Sequence, residues 1–124
     1  MLFVLLSQAA CHRPSVDQSL VGTWRRTVTL ESEEWFIDYS YFADHTFSFT
    51  GKPKIMTQSF KEEVGEIAPT TGTWRLEENE VVLQVRSDAG KSVERMMKWR
   101  IMRVEERKLI VNDSTETMSL ERIK

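Results

Sequence analysis

The chain has 124 residues, of which 40% are hydrophobic and 29% are charged, and this composition is typical of a single globular domain. Its 17 basic and 19 acidic residues give a net charge of −2 and are scattered along the sequence without a basic stripe. The long-range field that concentrates nucleic acid is therefore missing, and we expect no nucleic-acid partner.

The N-terminus has the pattern of an export signal. Residues 1–10 begin with an apolar run and end in small residues directly before Cys11, the single cysteine of the chain. In this position the cysteine resembles that of the lipobox of bacterial lipoproteins. The resemblance implies that Cys11 is the lipid attachment site, that residues 11–18 are a tether, and that the protein is anchored in the cell envelope, on the periplasmic or extracytoplasmic side. The alternative is a core strand over residues 2–6 with an incidental buried cysteine.

From residue 19 to residue 124 the hydrophobic periodicity is close to two, which predicts one all-β domain. Connections of two to four residues favour an antiparallel up-and-down meander of eight or nine strands. Because such a sheet has two exposed edges unless it closes, we expect a small barrel; a two-sheet sandwich is the competitor. Residues 61–70 lack clean alternation and are either a loop or one helical turn. The predicted strands lie near residues 20–30, 34–42, 46–51, 54–60, 71–77, 80–87, 93–104, 108–112 and 116–123.

The sequence Gly-Thr-Trp-Arg occurs twice, at residues 22–25 and at residues 72–75. A glycine two residues before an inward-facing tryptophan lets the strand bend and leaves room for the indole at the closed end of a barrel. We therefore expect both indoles in one layer of the core. The residues assigned a structural role on this basis are Gly22, Trp24, Gly72 and Trp74.

These motifs resemble those of the bacterial lipocalin-like proteins over residues 20–123. The first strand of that family reads Leu-x-Gly-x-Trp, matched here by Leu20, Gly22 and Trp24. A phenylalanine-rich hairpin around an Asp-Gly turn is matched by residues 41–47, with His45 in place of the glycine. The resemblance implies a lipocalin-like barrel in which a late arginine, here Arg122, packs over Trp24 as a cation–π pair.

Arg26 is the one charged residue on the inward face of the first predicted strand. Strict alternation puts it on the same side as Trp24, where an unpaired guanidinium would be too costly to bury. We expect a β-bulge at Arg25-Arg26 that turns the side chain outward. The alternative is a wet cavity in which Arg26 meets an anionic partner.

The inward-facing rings either fill the barrel or line a pocket for a small apolar or amphipathic ligand. The first functional hypothesis is therefore a cell-envelope ligand-binding protein, with Arg26 as a polar anchor. The candidate ligand-binding residues are Arg26, Tyr39, Tyr41, Phe49, Met97 and Trp99. The alternative is a filled barrel that binds an envelope partner, as an inhibitor would, through the outer face that carries Met96 and Met102 or through residues 61–70.

No pattern for catalysis or metal binding is present in the sequence. His12 and His45 stand outside metal-ligand spacings, and the paired carboxylates lie at strand ends or in loops. Neither a glycine-rich phosphate loop nor a nucleophile elbow occurs. We therefore expect no enzyme activity, no catalytic residue, no metal and no cofactor. Only the lipid anchor is expected to contact a membrane, since no other segment is apolar enough to span a bilayer.

Overall fold

In a computed structural model, the structure describes residues 16–55, 57 and 68–124. They contain eight antiparallel strands that close into one barrel, each paired with its neighbours in chain order. The predicted up-and-down barrel is therefore confirmed, and the sandwich is excluded. The elements are α1 (Val16–Leu20), β1 (Gly22–Leu30), β2 (Glu33–Tyr41), β3 (Thr46–Pro53), β4 (Thr70–Glu77), β5 (Glu80–Asp88), β6 (Lys91–Val104), β7 (Lys108–Asn112) and β8 (Thr117–Arg122).

The barrel has a closed end and an open end. We call closed the end that carries α1 and the β2–β3, β4–β5 and β6–β7 connections, and open the end that carries the other four connections. The structure places residues 16–18, which the sequence assigned to the tether, and Leu20, which it assigned to the first strand, in α1. Cys11 and the export segment lie outside the described residues. Within the described residues, no helix is long and apolar enough to cross a membrane.

The strand predicted near residues 54–60 is wrong where the structure describes it. Lys54, Ile55 and Thr57 lie outside the strands, and the remainder lies outside the described residues. β3 pairs directly with β4, from Thr46 to Phe49, so no strand is inserted between them. Beyond Phe49, β3 continues to Pro53 on β2 alone. Residues 61–67 also lie outside the described residues, and β4 begins at Thr70.

Alternation of side chains across the barrel wall puts large apolar residues inside. In the closed half, Tyr41 packs edge-on against Trp74 with the ring centroids 5.6 Å apart, and Phe47 lies 4.5 Å from Phe49. Such ring pairs add to the stabilisation that comes from burial itself. The buried core consists of Leu20, Trp24, Tyr39, Tyr41, Phe47, Phe49, Trp74, Val81, Leu83, Val85, Trp99, Leu109, Val111, Met118 and Leu120.

The two copies of Gly-Thr-Trp-Arg place their indoles in equivalent environments. Both tryptophans are buried near the closed end. The Trp24 indole N–H donates to the Leu20 carbonyl at 2.9 Å, and the Trp74 indole N–H donates to the Phe42 carbonyl at 3.1 Å. Each indole therefore fills the core and satisfies a backbone carbonyl at the closed end.

The glycines of the two copies leave room for neighbouring chain segments rather than for the indoles. Gly22 has φ +137°, and a Cβ there would overlap the Arg122 guanidinium and the Lys124 carbonyl. Gly72 lies at a register shift, where a Cβ would overlap the Gln84 carbonyl and approach the Phe47 ring. A side chain at either position would push adjacent elements apart.

Arg122 joins the last strand to the closed end. Its guanidinium lies 4.2 Å from the centre of the Trp24 ring, which confirms the predicted cation–π contact. It also donates hydrogen bonds to the carbonyls of Ser19 (2.5 Å), Val21 (2.8 Å) and Glu106 (2.6 Å). One side chain thus connects β8 with the chain around α1 and with the β6–β7 connection.

We predict that Arg122→Ala destabilises the fold by about 2–4 kcal/mol, because it removes the cation–π contact and leaves carbonyls without their donors. This loss should lower the melting temperature by roughly 8 °C or more. The matched control is Arg75→Ala, since Arg75 forms an exposed pair with Glu77 and its loss should cost less than about 1 kcal/mol. Equal melting temperatures for the two variants would contradict this role of Arg122.

We predict that Gly72→Ala destabilises the barrel by about 2–3 kcal/mol or more, since the methyl group meets the backbone of β5. Gly51→Ala is the matched control. Gly51 lies in a strand of the same sheet, and its added Cβ would come no closer than 3.9 Å to another group. Urea unfolding measures both variants. A Gly72→Ala midpoint as high as that of Gly51→Ala would show that the close approach of β4 and β5 is not required.

Candidate functional site

Three inward-facing rings form the upper surface of the core, toward the open end. The Tyr39 centroid lies 4.7 Å from that of Phe49 and 5.5 Å from that of Trp99, and the Phe49 and Trp99 rings stack at 5.6 Å. Tyr39, Phe49 and Trp99 are 6%, 9% and 9% exposed, whereas Tyr41 and Phe47 below them are each 1% exposed. We call these three rings the aromatic floor.

Partly buried apolar residues surround the aromatic floor on its open side. Ile37 lies two residues from Tyr39 along β2, and Met97 lies two residues from Trp99 along β6, each toward the open end. Both pack against the core cluster. The floor and these two side chains form an apolar surface at the mouth of the barrel.

Arg26 lies inside the barrel wall, so the expected bulge at Arg25-Arg26 is wrong. β1 pairs with β2 without a register shift from Gly22 opposite Tyr41 to Leu30 opposite Glu33. Unbroken alternation therefore keeps Arg26 on the face of Trp24. The cost of this position is offset by pairing, because Nη2 donates a hydrogen bond to Glu116 Oε1 at 2.9 Å.

Pairing and burial together set the charges of Arg26 and Tyr39. Burial would lower the pKa of Arg26, but the hydrogen bonds with Glu116 and Tyr39 raise it overall, so the guanidinium remains cationic. Burial raises the pKa of Tyr39 despite the hydrogen bond to Arg26, and the nearby Glu116 and Asp113 raise it further. The mouth therefore presents a permanent cation beside a neutral hydroxyl group.

The structure brings most of the predicted ligand-binding residues together at the open end. These are Arg26, Tyr39, Phe49, Met97 and Trp99. Tyr41 does not belong to this group, because it lies under Phe49 and against Trp74 in the closed half. Glu116 was not predicted, because it follows its partner Arg26 by 90 residues and no local pattern indicates the pair.

Two other polar features occupy the open end. Asp88 accepts hydrogen bonds from Thr70 (2.9 Å) and Arg95 (3.1 Å), which lower the pKa of its carboxyl group and join β4, β5 and β6. A cleft of about 480 Å³ lies between the start of β2 and the chain after β3. It contains the exposed pair Lys54–Glu34 and lacks the rings of the aromatic floor. Its lining is Ser32, Glu33, Glu34, Pro53, Lys54, Ile55 and Thr57.

The remaining candidate chemistry is sparse in the described part of the chain. No group of three or more His, Cys, Asp or Glu residues is placed there to hold a metal ion. His45 has φ +66° in the β2–β3 turn, stacks on Trp74 at 4.6 Å, and contacts Asp17 of α1 at 3.1 Å. These contacts give His45 a structural role at the closed end.

The fold and the site together define a closed antiparallel β-barrel whose mouth combines an aromatic floor with a paired arginine. No family model and no curated protein matches the chain. It is similar in structure to a protein from Bacteroides uniformis ATCC 8492 solved by NMR, with a TM-score of 0.56 and 14% sequence identity, over 87% of this chain and 92% of that chain. At this identity the similarity supports the fold alone.

We predict that both tyrosines of the chain remain un-ionised above pH 10 in the folded state, since burial raises the pKa of Tyr39 and of Tyr41. The stability that comes from this shift is complete below the unfolded pKa of about 10 and is lost as the pH rises toward the folded values. Each tyrosine should decrease the unfolding free energy by about 1.4 kcal/mol per pH unit in that window.

The tyrosinate absorbance of the native and the urea-unfolded protein measures this difference, and Tyr39→Phe is the control. The variant should remove the contribution of one tyrosine from the slope of unfolding free energy against pH. Native tyrosinate absorbance that follows the curve of the unfolded chain would contradict the burial of both hydroxyl groups.

Proposed function

We propose that this chain is a lipocalin-like binding protein that holds a small amphipathic ligand on the aromatic floor at the open end of the barrel. The observation that supports the proposal is the residual exposure of three inward-facing rings beside the paired Arg26. An apolar surface with a few convergent polar groups is the usual form of a small-molecule site.

The packing below the aromatic floor limits the size of this ligand. Tyr41 and Phe47 are buried directly beneath it, and Trp74 closes the layer against Tyr41. The ligand would therefore lie across the mouth rather than descend into the barrel. A single ring or a short alkyl chain with one polar group fits this depth better than a long acyl chain.

The cell envelope, with a lipid on Cys11, is the proposed location, and its support is the sequence pattern of residues 1–11. The first described residues form α1 at the closed end, where Asp17 contacts His45. An anchor at Cys11 would therefore hold the barrel by its closed end and leave the open end directed away from the membrane.

The alternative is a partner protein that binds the outer face of β6. Met96 and Met102 are exposed there, and Lys98 and Arg100 lie between them. Scattered exposed methionines are ordinary on a protein surface, so this observation is weaker than the combination found at the open end.

We expect 3-phenylpropan-1-ol, a ring with a short alkyl chain and one hydroxyl group, to bind at the open end with an affinity in roughly the millimolar range, since the ligand is small. Titration followed by ¹H–¹⁵N NMR should shift the Trp99 indole N–H and the amides near Ile37 and Tyr39. The Trp24 indole N–H, at the closed end, should not shift.

Two neighbouring substitutions provide the control. Met97→Trp fills the mouth and should weaken binding about tenfold, or by about 1.4 kcal/mol. Met96→Trp adds the same side chain to the outer face of the same strand and should leave the affinity unchanged. If the wild type shows no shift at the open end, or if both variants bind equally well, the site is not at the mouth.

A further inference from the structure

The seam between β1 and β8 is complete only in the closed half of the barrel. The structure describes both strands in full, and their register pairs are Trp24 with Arg122 and Arg25 with Glu121. β1 continues from Arg25 to Leu30, and β8 begins at Thr117. We call the stretch between β1 and β8 on the open side of Arg25 the upper seam.

The Arg26–Glu116 ion pair spans the upper seam. Arg26 belongs to β1, and Glu116 is the last residue of the turn that precedes β8. Side chains rather than a backbone ladder therefore hold the seam together at this level. A side-chain contact can be exchanged for another without unpairing a strand, whereas a backbone ladder cannot.

Glu116 is the exchangeable partner of this pair. Its side chain is 55% exposed, whereas that of Arg26 is 22% exposed. An exposed carboxylate gains little from an ion pair because water solvates it nearly as well. The less exposed guanidinium needs an anion or another acceptor more strongly, since its hydration is incomplete.

We propose that the open end binds an amphipathic carboxylate whose carboxylate group replaces Glu116 on Arg26, while its apolar part lies on the aromatic floor. This inference rests on the proposed function, because it names the ligand class of the same site. Tyr39 connects the two parts of the site, since its hydroxyl group lies close enough to the Arg26 guanidinium to interact with its charge and its ring contacts Phe49 and Trp99.

The chemistry of the site favours a carboxylate over other polar groups. Glu116 already places a carboxylate oxygen 2.9 Å from the guanidinium, so the position accepts that group. Guanidinium N–H groups match the two oxygens of a carboxylate, and charge-assisted hydrogen bonds are the stronger kind. Because the Tyr39 ring is part of the floor, a short linker between carboxylate and ring suffices.

Glu116 also opposes the binding of such a ligand. As long as it stays on Arg26, it accepts the hydrogen bond of Nη2 and repels a second carboxylate, and the nearby Asp113 adds to the negative charge. Removal of Glu116 should therefore strengthen the binding of a carboxylate and leave the binding of a neutral analogue unchanged. This opposite dependence on ligand charge distinguishes a competitor from a structural residue.

The test compares 3-phenylpropanoate with its neutral analogue 3-phenylpropan-1-ol by NMR titration on the full chain. Glu116→Ala should increase the affinity for 3-phenylpropanoate about fivefold and change the affinity for the alcohol by less than about twofold. Arg26→Gln should decrease the affinity for 3-phenylpropanoate about tenfold and leave the affinity for the alcohol within about threefold of the wild-type value.

Glu121→Ala is the matched control for net charge. Glu121 lies on β8 opposite Arg25, on the exposed side of the same seam, so its removal changes the net charge as Glu116→Ala does. It should change neither affinity by more than about twofold, since exposed charges are screened. Retained binding of the alcohol shows that each variant is folded.

The outcomes separate this inference from the proposed function. Suppose that the alcohol binds at the mouth but Glu116→Ala does not bind 3-phenylpropanoate more tightly than Glu121→Ala does. The inferred exchange of carboxylates is then overturned, and the proposed function stands. If neither probe binds the wild type or any variant, the proposed function fails and the inference fails with it. If Glu116→Ala binds both probes more tightly than the wild type does, Glu116 only blocks the mouth, and the exchange of carboxylates is overturned.

Discussion

Closure of the sheet between its first and last strands is the constraint on which the rest of this structure depends. A meander of eight strands leaves two unpaired edges unless β1 meets β8, and here they meet along a short ladder at Trp24 and Arg25. Arg122 reinforces that ladder by stacking on Trp24 and by donating to three carbonyls, two in the chain around α1 and one in the β6–β7 connection. Gly22 is part of the same arrangement, because its missing side chain is the space that the guanidinium occupies.

The two halves of the barrel use the same alternation for different purposes. In the closed half, it places Trp24 and Trp74 in the core, where both indole N–H groups find carbonyl acceptors. Two residues after Trp24 along β1, the same alternation turns Arg26 inward, at a level where the ladder to β8 has ended. The guanidinium therefore requires a partner, and Glu116 accepts a hydrogen bond from it at 2.9 Å. The polar site is thus a consequence of the strand register that builds the core.

The sequence predicted the face of each strand better than it predicted depth or partners. Alternation put Tyr39 and Tyr41 on one face, but it carries no information on height in the barrel, so only the structure separates Tyr39 at the mouth from Tyr41 in the core. The bulge expected at Arg25-Arg26 was wrong because the guanidinium is paired, with a partner, Glu116, that lies 90 residues away in the sequence. The strand expected from residue 54 fails because β4 pairs with β3 itself. The Arg122–Trp24 contact was predicted correctly because it came from a motif rather than from periodicity.

The two arginines of the seam have opposite physical roles. Arg122 donates to three backbone carbonyls that hold the closed end together, so its contribution is to stability. Arg26 is paired with a carboxylate that is more than half exposed, and such a pair contributes little to folding while it keeps a charged donor oriented into the mouth. An apolar pair at the same positions would seal the upper seam at no electrostatic cost. What the ion pair adds is a cation beside the aromatic floor, held in place by a carboxylate group that is 55% exposed.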